Sequence, residues 1–366
     1  MRKLAFLILP VAVVACGAVM LSPGILAGAV DYARSQAVTE PADLNQVIYD
    51  AFAPREPGFR ILGPTLYRAG DSGIVIHRNR IVARWGDIDR IDMTFSVAKS
   101  YLSVLAGIAV RDGLIGSVHD RVADTLPELI IGEHNVEITW HHLLQQTSDW
   151  SGTLWAIPDW ADRPEGDDPA NRPLHPPGTR FKYNDVRINL LALALMHVFG
   201  EPLPAVLKRE VMDPIGASGN WQWYGYENSW VEIDGQRMQS VSGGGHFGGG
   251  IFISTRDHAR FGQLMLNRGV WRGERILPDA WFDQMTAPSA AKPDYGYLWW
   301  LNTGRAAIPA APASAYWAAG FGGNFIYIDE CNELVIVLRW IPDLAGVVEQ
   351  VINSMQYDTG CASGAA

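Results

Sequence analysis

After Phe95 the residues Val97, Leu102, Val104, Leu105 and Ile108 recur at helical spacing, and Asp112-Gly113 supplies a stop signal. This pattern predicts a buried helix with Thr94 or Asp92 as N-cap and Ser96 in its first turn. Upstream, residues 73–78 and 80–85 are two β-like runs on either side of Asn79, which predicts a hairpin. An amphipathic stretch covers Leu44–Phe52. Further apolar helical periods run over 186–199, 203–212 and, capped by Thr255, 255–266. Strand-like runs follow at 295–301, 316–319, 324–328 and 334–340, and the chain closes with an amphipathic helix over 347–355. Late antiparallel strands, one early hairpin and central helices describe an α/β fold: an antiparallel sheet flanked by helices, with a helical insertion.

The first thirty residues stand apart. Arg2-Lys3 precede a stretch without charge over residues 4–30, a positive n-region followed by an h-region. Three readings are open. Ala27-Gly28-Ala29 has the small residues of a cleavage site, Val13-Val14-Ala15-Cys16 resembles the box before a lipid-modified cysteine, and the run is long enough for a membrane anchor although Pro10 and Pro23 interrupt it. Each reading puts the body of the protein outside the cytoplasm, with possible membrane attachment through residues 4–30. Cys331 and Cys361 then remain in the exported body, either as a disulfide or as free thiols. Residues 31–59 read as a polar lead-in.

Composition narrows the function classes. Apolar residues make up 48% of the 366-residue chain and charged residues 19%, so a packed core is expected. A net charge of −10 with no basic cluster argues against nucleic acid as a partner. The nine histidines form no H-E-x-x-H, and no metal pattern is present.

Candidate chemistry begins at Ser96. Lys99 lies three residues on, so both side chains share one helix face. Near the helix start, free backbone N–H groups and the dipole favour developing negative charge. A lysine among apolar side chains loses affinity for its proton, so Ser-x-x-Lys can make a serine nucleophilic without histidine. Ser289-Ala290-Ala291-Lys292 satisfies the same spacing, but Pro288 and Pro293 flank it and no apolar helix follows. The segment 242–250, Ser-Gly-Gly-Gly-His-Phe-Gly-Gly-Gly, lacks the context of a nucleotide loop and reads as backbone in close approach. Residues 148–178 carry many Pro, Asp and Trp with little periodicity, the mark of a functional rim or lid. Trp150, Trp155 and Trp160 there are candidates to line a cleft, with plain packing as the alternative.

The order of these motifs resembles the class C β-lactamase-like serine hydrolases, which include penicillin-binding carboxypeptidases, family VIII esterases and 6-aminohexanoate-dimer hydrolases. The resemblance covers roughly residues 60–350. The family's Ser-x-x-Lys falls on Ser96 and Lys99, its His-Leu-Leu-x-x-Thr-Ser on residues 142–148, and its Pro-Gly-x-x-Phe-x-Tyr on 177–183, which places the catalytic tyrosine at Tyr183. The glycine-rich turn before Thr255-Arg256-Asp257 is similar to the family's, and the third active-site strand resembles Ala318-Ala319-Gly320-Phe321-Gly322-Gly323. Two departures stand out. The family's Tyr-x-Asn reads Tyr183-Asn184-Asp185, and the cation of Lys-Thr-Gly or His-x-Gly is replaced by Ala318. The 6-aminohexanoate-dimer hydrolase branch is the most similar in this respect.

The resemblance implies a β-lactamase/transpeptidase-like catalytic domain over 60–357, with 358–366 as a tail. It implies a Ser96 acyl-enzyme, with Tyr183 or Lys99 as base and the backbone N–H groups of Ser96 and Phe321 as oxyanion hole. Asp185, Trp150, Gly320 and His246 become candidates for substrate binding. No cofactor or metal is implied, and the substrate would be a small ester or amide. The missing strand cation predicts a preference for neutral substrates, unless Arg305 or another arginine reaches in from a loop. The competing reading is a sensor that binds β-lactams or cell-wall peptides without efficient turnover.

Overall fold

The computed structural model describes residues 24–355 apart from positions 39, 41 and 69. Two helices come first, α1 (Ala27–Ser35) and α2 (Leu44–Phe52), the latter capped by the Asp43 carboxylate on the Asn45 N–H. The hairpin about Asn79 joins β1 (Ser72–His77) to β2 (Arg80–Gly86). Arg78 and Asn79 both take positive φ, 49° and 60°, as a two-residue hairpin turn requires. A short β3 (Ile91–Met93) leads into α3 (Val97–Arg111), and α4 (Asp185–Phe199) follows after a long, mostly irregular connection. Then come β4 (Gln222–Ile233), β5 (Gln236–Val241), β6 (Gly250–Ser254) and α5 (Thr255–Leu266). The chain continues through β7 (Trp300–Leu301), β8 (Tyr316–Gly320), β9 (Asn324–Asp329), β10 (Leu334–Arg339) and α6 (Leu344–Ser354).

Six strands form one antiparallel sheet in the order β7-β8-β9-β10-β1-β2. The register sets Val75 opposite Ile336, and Ala318 opposite Ile326. Both faces of the sheet are covered, which is why every residue of β1 and β10 is buried rather than every second one. One face packs on α3 and α5. The other takes α1 and α6 through Ala29, Ala33, Val347 and Val351. A second sheet has the order β3-β6-β4-β5, and its strand β6 packs on α3. The sequence pattern missed its β4–β5 hairpin, although Asp234-Gly235 at the turn, with φ of 50° and 74°, is a hairpin signal.

The helix α3 is buried nearly all round, as is α4, so neither shows the polar stripe of a surface helix. The predicted cap of α3 is corrected. Ser96 itself occupies the N-cap position and makes no side-chain cap. Thr94 instead bonds His258 Nε2 at 2.7 Å, and Asp92 accepts from Trp340 Nε1 at 2.7 Å. Both hydroxyl and carboxylate are drawn into the core, so neither is left to cap the helix. The predicted cap of α5 also moves by one residue, to Ser254.

Residues 1–23 and 356–366 lie outside the described residues, and with them the n-region, most of the h-region, Cys16 and Cys361. Ala27-Gly28-Ala29 forms the first turn of α1. Cys331 is disulfide-bonded. Among the described residues no single helix is long and apolar enough to cross a membrane.

Candidate active site

Ser96 stands where β3 turns into α3. Phe95, just before it, is buried with φ of 51°, a left-handed conformation costly for a bulky residue and held by the packing around it. One helical turn on, Lys99 Nζ donates to Ser96 Oγ at 2.9 Å and to Asp185 Oδ1 at 2.6 Å. The Lys99 and Asp185 side chains are each only 2% exposed.

Asp185 reaches Lys99 because its neighbour does the capping. Asn184 is the N-cap of α4, accepting from the Arg187 N–H at 3.0 Å. The Asp185 carboxylate is thereby free to face α3. Its other oxygen accepts the His246 N–H at 3.2 Å, and its own N–H donates to the Asp162 carboxylate. Gly244 closes this pocket of charge: a Cβ there would sit 2.0 Å from Lys99 Nζ and 2.2 Å from Asp185 Oδ2. The glycine-rich segment is close-approach backbone, as read from its pattern.

Tyr183 is positioned from behind by the segment 142–148. Thr147 O accepts the Gly178 N–H, Gln146 O the Lys182 N–H and Gln146 Oε1 the Asn184 N–H, at 2.8, 2.9 and 2.9 Å. Trp300 stacks on the Tyr183 ring (6.1 Å between centroids, 21° between planes), and Lys99 Nζ lies 4.7 Å from its centre. Opposite, Gly320 brings the end of β8 against Thr94, where a Cβ would meet the Thr94 carbonyl oxygen at 2.2 Å. The Ser96 and Phe321 N–H groups donate to no acceptor among the described residues.

Ser96, Tyr183, Asp185, Gly320, Phe321 and His246 all line one cavity of about 240 Å³, with Phe52, Phe95, Arg163, Gly244, Trp300 and Ala319. Trp150 does not. It is 1% exposed, a core residue whose indole Nε1 donates to Leu129 O at 3.1 Å. Trp155 and Trp160 line other hollows. Trp317 faces the α1–α6 side of the sheet, so Trp300 supplies the aromatic wall instead. Ala318 is buried in the core, and Arg305 is occupied with the Pro309 carbonyl at 3.0 Å on a surface turn.

Besides the cavity-wall residues Phe52 and Trp300, three charged residues of the site escaped the sequence reading: Glu56, Asp162 and Arg163. His246 Nε2 is 2.6 Å from Glu56 Oε2 and 3.6 Å from Asp162 Oδ1, all buried. Ligand atoms of these three lie within 4.8 Å of one another, a spacing a metal would accept. The cluster nevertheless closes on its own bonds, with Asp162 engaged by Arg163 and by the Asp185 N–H. Asp162-Arg163 sit in the irregular segment already marked as a rim. Glu56 sits in the lead-in, which therefore contributes to the site through Phe52 and Glu56.

Burial dominates the protonation states. It lowers Lys99 from the usual lysine value of 10.5, while Asp185 works against it. Burial works to raise Asp185, but Lys99, His246 and Arg163 outweigh it and hold the carboxyl low. Burial, reinforced by Asp185, raises the Tyr183 phenol well above 10. For His246 burial favours the neutral ring, yet Asp162, Glu56 and Asp185 prevail and raise it.

The fold is β-lactamase/transpeptidase-like, an α/β arrangement of antiparallel sheet and helices. The Beta-lactamase family model matches residues 64–339, three quarters of the chain, and the protein belongs to that family. An N-acetylmuramyl-L-alanine amidase of Bacillus subtilis is 25% identical over 223 residues, 50% of this chain and 50% of the amidase, so the match spans half of that relative's length. Among solved structures, EstCE1, a hydrolase with promiscuous acyltransferase activity, superposes with TM-score 0.61 at 17% identity over 91% of this chain and 98% of its own. A family VIII carboxylesterase gives TM-score 0.58 at 18% identity over 86% and 97%. The likeness at this identity is one of fold. The chain is a hydrolase-family protein whose neighbours include esterases and amidases.

Proposed function

We propose that the protein is a serine hydrolase that cleaves a small ester or amide through an acyl-enzyme on Ser96. The observation that carries this reading is the continuous bond chain Ser96–Lys99–Asp185 beneath a cavity that Tyr183 also lines. In the reaction the Ser96 oxygen attacks the substrate carbonyl, and its proton passes to Lys99 in the amine form, which burial makes accessible. Tyr183, kept as a phenol, gives its proton to the departing oxygen or nitrogen and recovers one from the Lys99 ammonium. The carbonyl oxygen becomes an oxyanion between the Ser96 and Phe321 N–H groups. Water then attacks the acyl group, Lys99 again takes the proton, and Ser96 is released by protonation from the same pair. Lys99 is thus the base and Tyr183 the acid.

A pure binding protein needs neither the Lys99 contact nor the Tyr183 acid, so the sensor reading has less support. An extracytoplasmic setting fits a cell-wall or environmental substrate. A hydrolysis panel tests the proposal: 4-nitrophenyl esters, 6-aminohexanoate dimer, D-amino-acid amides and a chromogenic cephalosporin. Turnover of at least one ester or amide, lost in Ser96→Ala, is expected. Turnover that survives Ser96→Ala contradicts it.

A further inference from the structure

The third strand brings no cation to this cavity, since Ala318 is a buried core residue. A cation arrives from elsewhere. Arg163, on the irregular connection between α3 and α4, lines the same cavity as Ser96 and Tyr183. Its backbone is pinned with φ of 55°, and its N–H donates to Glu56 Oε1 at 3.2 Å. The guanidinium carbon sits 5.2 Å from the Tyr183 ring centre. One nitrogen, Nη1, bonds the Asp162 carboxylate, which is itself 0% exposed and shared with the Asp185 N–H. No other hydrogen bond of the guanidinium is made among the described residues, and the side chain is 44% exposed. A planar fork of donors is thus anchored at one corner and open at the others, beside the nucleophile. His246, the other cationic side chain of the lining, is buried and spent on Glu56.

We infer that Arg163 is an anion-binding residue of this site, and that the preferred substrates carry a carboxylate near the scissile bond, met by the free guanidinium donors. The inference rests on the hydrolase reading above and replaces the expectation of a neutral substrate. An arginine suits the role because its fork matches carboxylate geometry and never loses its charge near neutral pH. The carboxylate can belong to the acyl part or to the leaving group, and two matched pairs of esters separate these sources. Mono-4-nitrophenyl adipate against 4-nitrophenyl hexanoate reports the acyl side. 3-Acetoxybenzoate against phenyl acetate reports the leaving-group side.

In wild type the anionic member of at least one pair is expected to have the higher kcat/KM. Arg163→Gln should lower that anionic-to-neutral ratio by roughly ten- to a hundredfold, the range of one charge-assisted contact. Arg163→Lys should keep part of it, and Arg163→Glu should invert it. The ratio cancels any general loss caused by disturbing Asp162. Calorimetric binding of the same pairs to Ser96→Ala, with and without Arg163→Gln, gives the ratio without turnover. If both esters bind alike to Ser96→Ala, and Arg163→Gln leaves the ratios unmoved in both pairs, the inference is overturned even where hydrolysis proceeds. If selective binding is lost with Arg163 but no ester is turned over, anion recognition stands and the hydrolase reading falls.

Discussion

Asp185→Asn separates the assigned base from the assigned acid. Lys99 Nζ and Asp185 Oδ1 are 2.6 Å apart and nearly inaccessible. Unit charges at that distance interact by about 6 kcal/mol at an effective dielectric of about 20, a ceiling of roughly 4–5 pK units. The asparagine still offers a carbonyl oxygen to the ammonium, and cleft water screens part of the field, so a shift of roughly 1–3 units is expected. The sign follows from the charges. Asp185 stabilises the Lys99 ammonium, so its removal lowers Lys99 further below 10.5. The amine then persists to lower pH, and the acid limb of kcat/KM moves to lower pH. Asp185 also raises the Tyr183 phenol, so the alkaline limb moves to lower pH with it. The assay is a pH–rate profile of ester hydrolysis for wild type and Asp185→Asn, with circular dichroism to show that both remain folded across the range. An acid limb that stays in place, or moves to higher pH, would refute Lys99 as the base governed by Asp185.

Three further perturbations have clear outcomes. Tyr183→Phe keeps the ring between Trp300 and Lys99 but removes the proton donor, so kcat should fall by roughly 10²–10⁴-fold; a loss of only a few fold, measured by steady-state kinetics, would mean another group protonates the leaving atom. Gly244→Ala drives a methyl group onto the Lys99–Asp185 pair, and should abolish hydrolysis while the melting temperature shows whether the fold survives; a fully active variant would mean that the pair is dispensable. Ser289→Ala should leave kcat/KM within about threefold, because Ser289 is buried against Gln145 (Oγ to Oε1, 3.0 Å) and a lost neutral hydrogen bond there costs stability rather than chemistry.

What could be read from the sequence divides by physical range. Ser96 and Lys99 meet because helical spacing places them on one face, and that information is local. The hairpin at Asn79 and the helix preceded by Asn184 are equally local, written in turn chemistry and apolar period. Tyr183 and Asp185 became legible only through the resemblance, since nothing nearby in sequence says that α4 begins against α3. Glu56, Asp162 and Arg163 left no signal of their own. They come from irregular backbone that no periodicity marks, and what joins Glu56 to the site lies far along the chain, 107 positions on at Arg163 and 190 positions on at His246. Trp150 was misplaced for a related reason: composition marks the rim, but only packing decides which tryptophan turns inward. The cap of α3 was misread because Thr94 and Asp92 are satisfied by His258 and Trp340, partners that the local sequence does not contain.

The nucleophile is open to the most direct test. Intact protein is treated with a fluorophosphonate probe and digested, and the adduct is located by mass spectrometry, in wild type, Ser96→Ala and Ser289→Ala. The expected result is one adduct on Ser96, absent from Ser96→Ala and undiminished in Ser289→Ala, with ester turnover following the same pattern. An adduct on another serine, or undiminished labelling and turnover in Ser96→Ala, would contradict Ser96 as the acyl-enzyme residue.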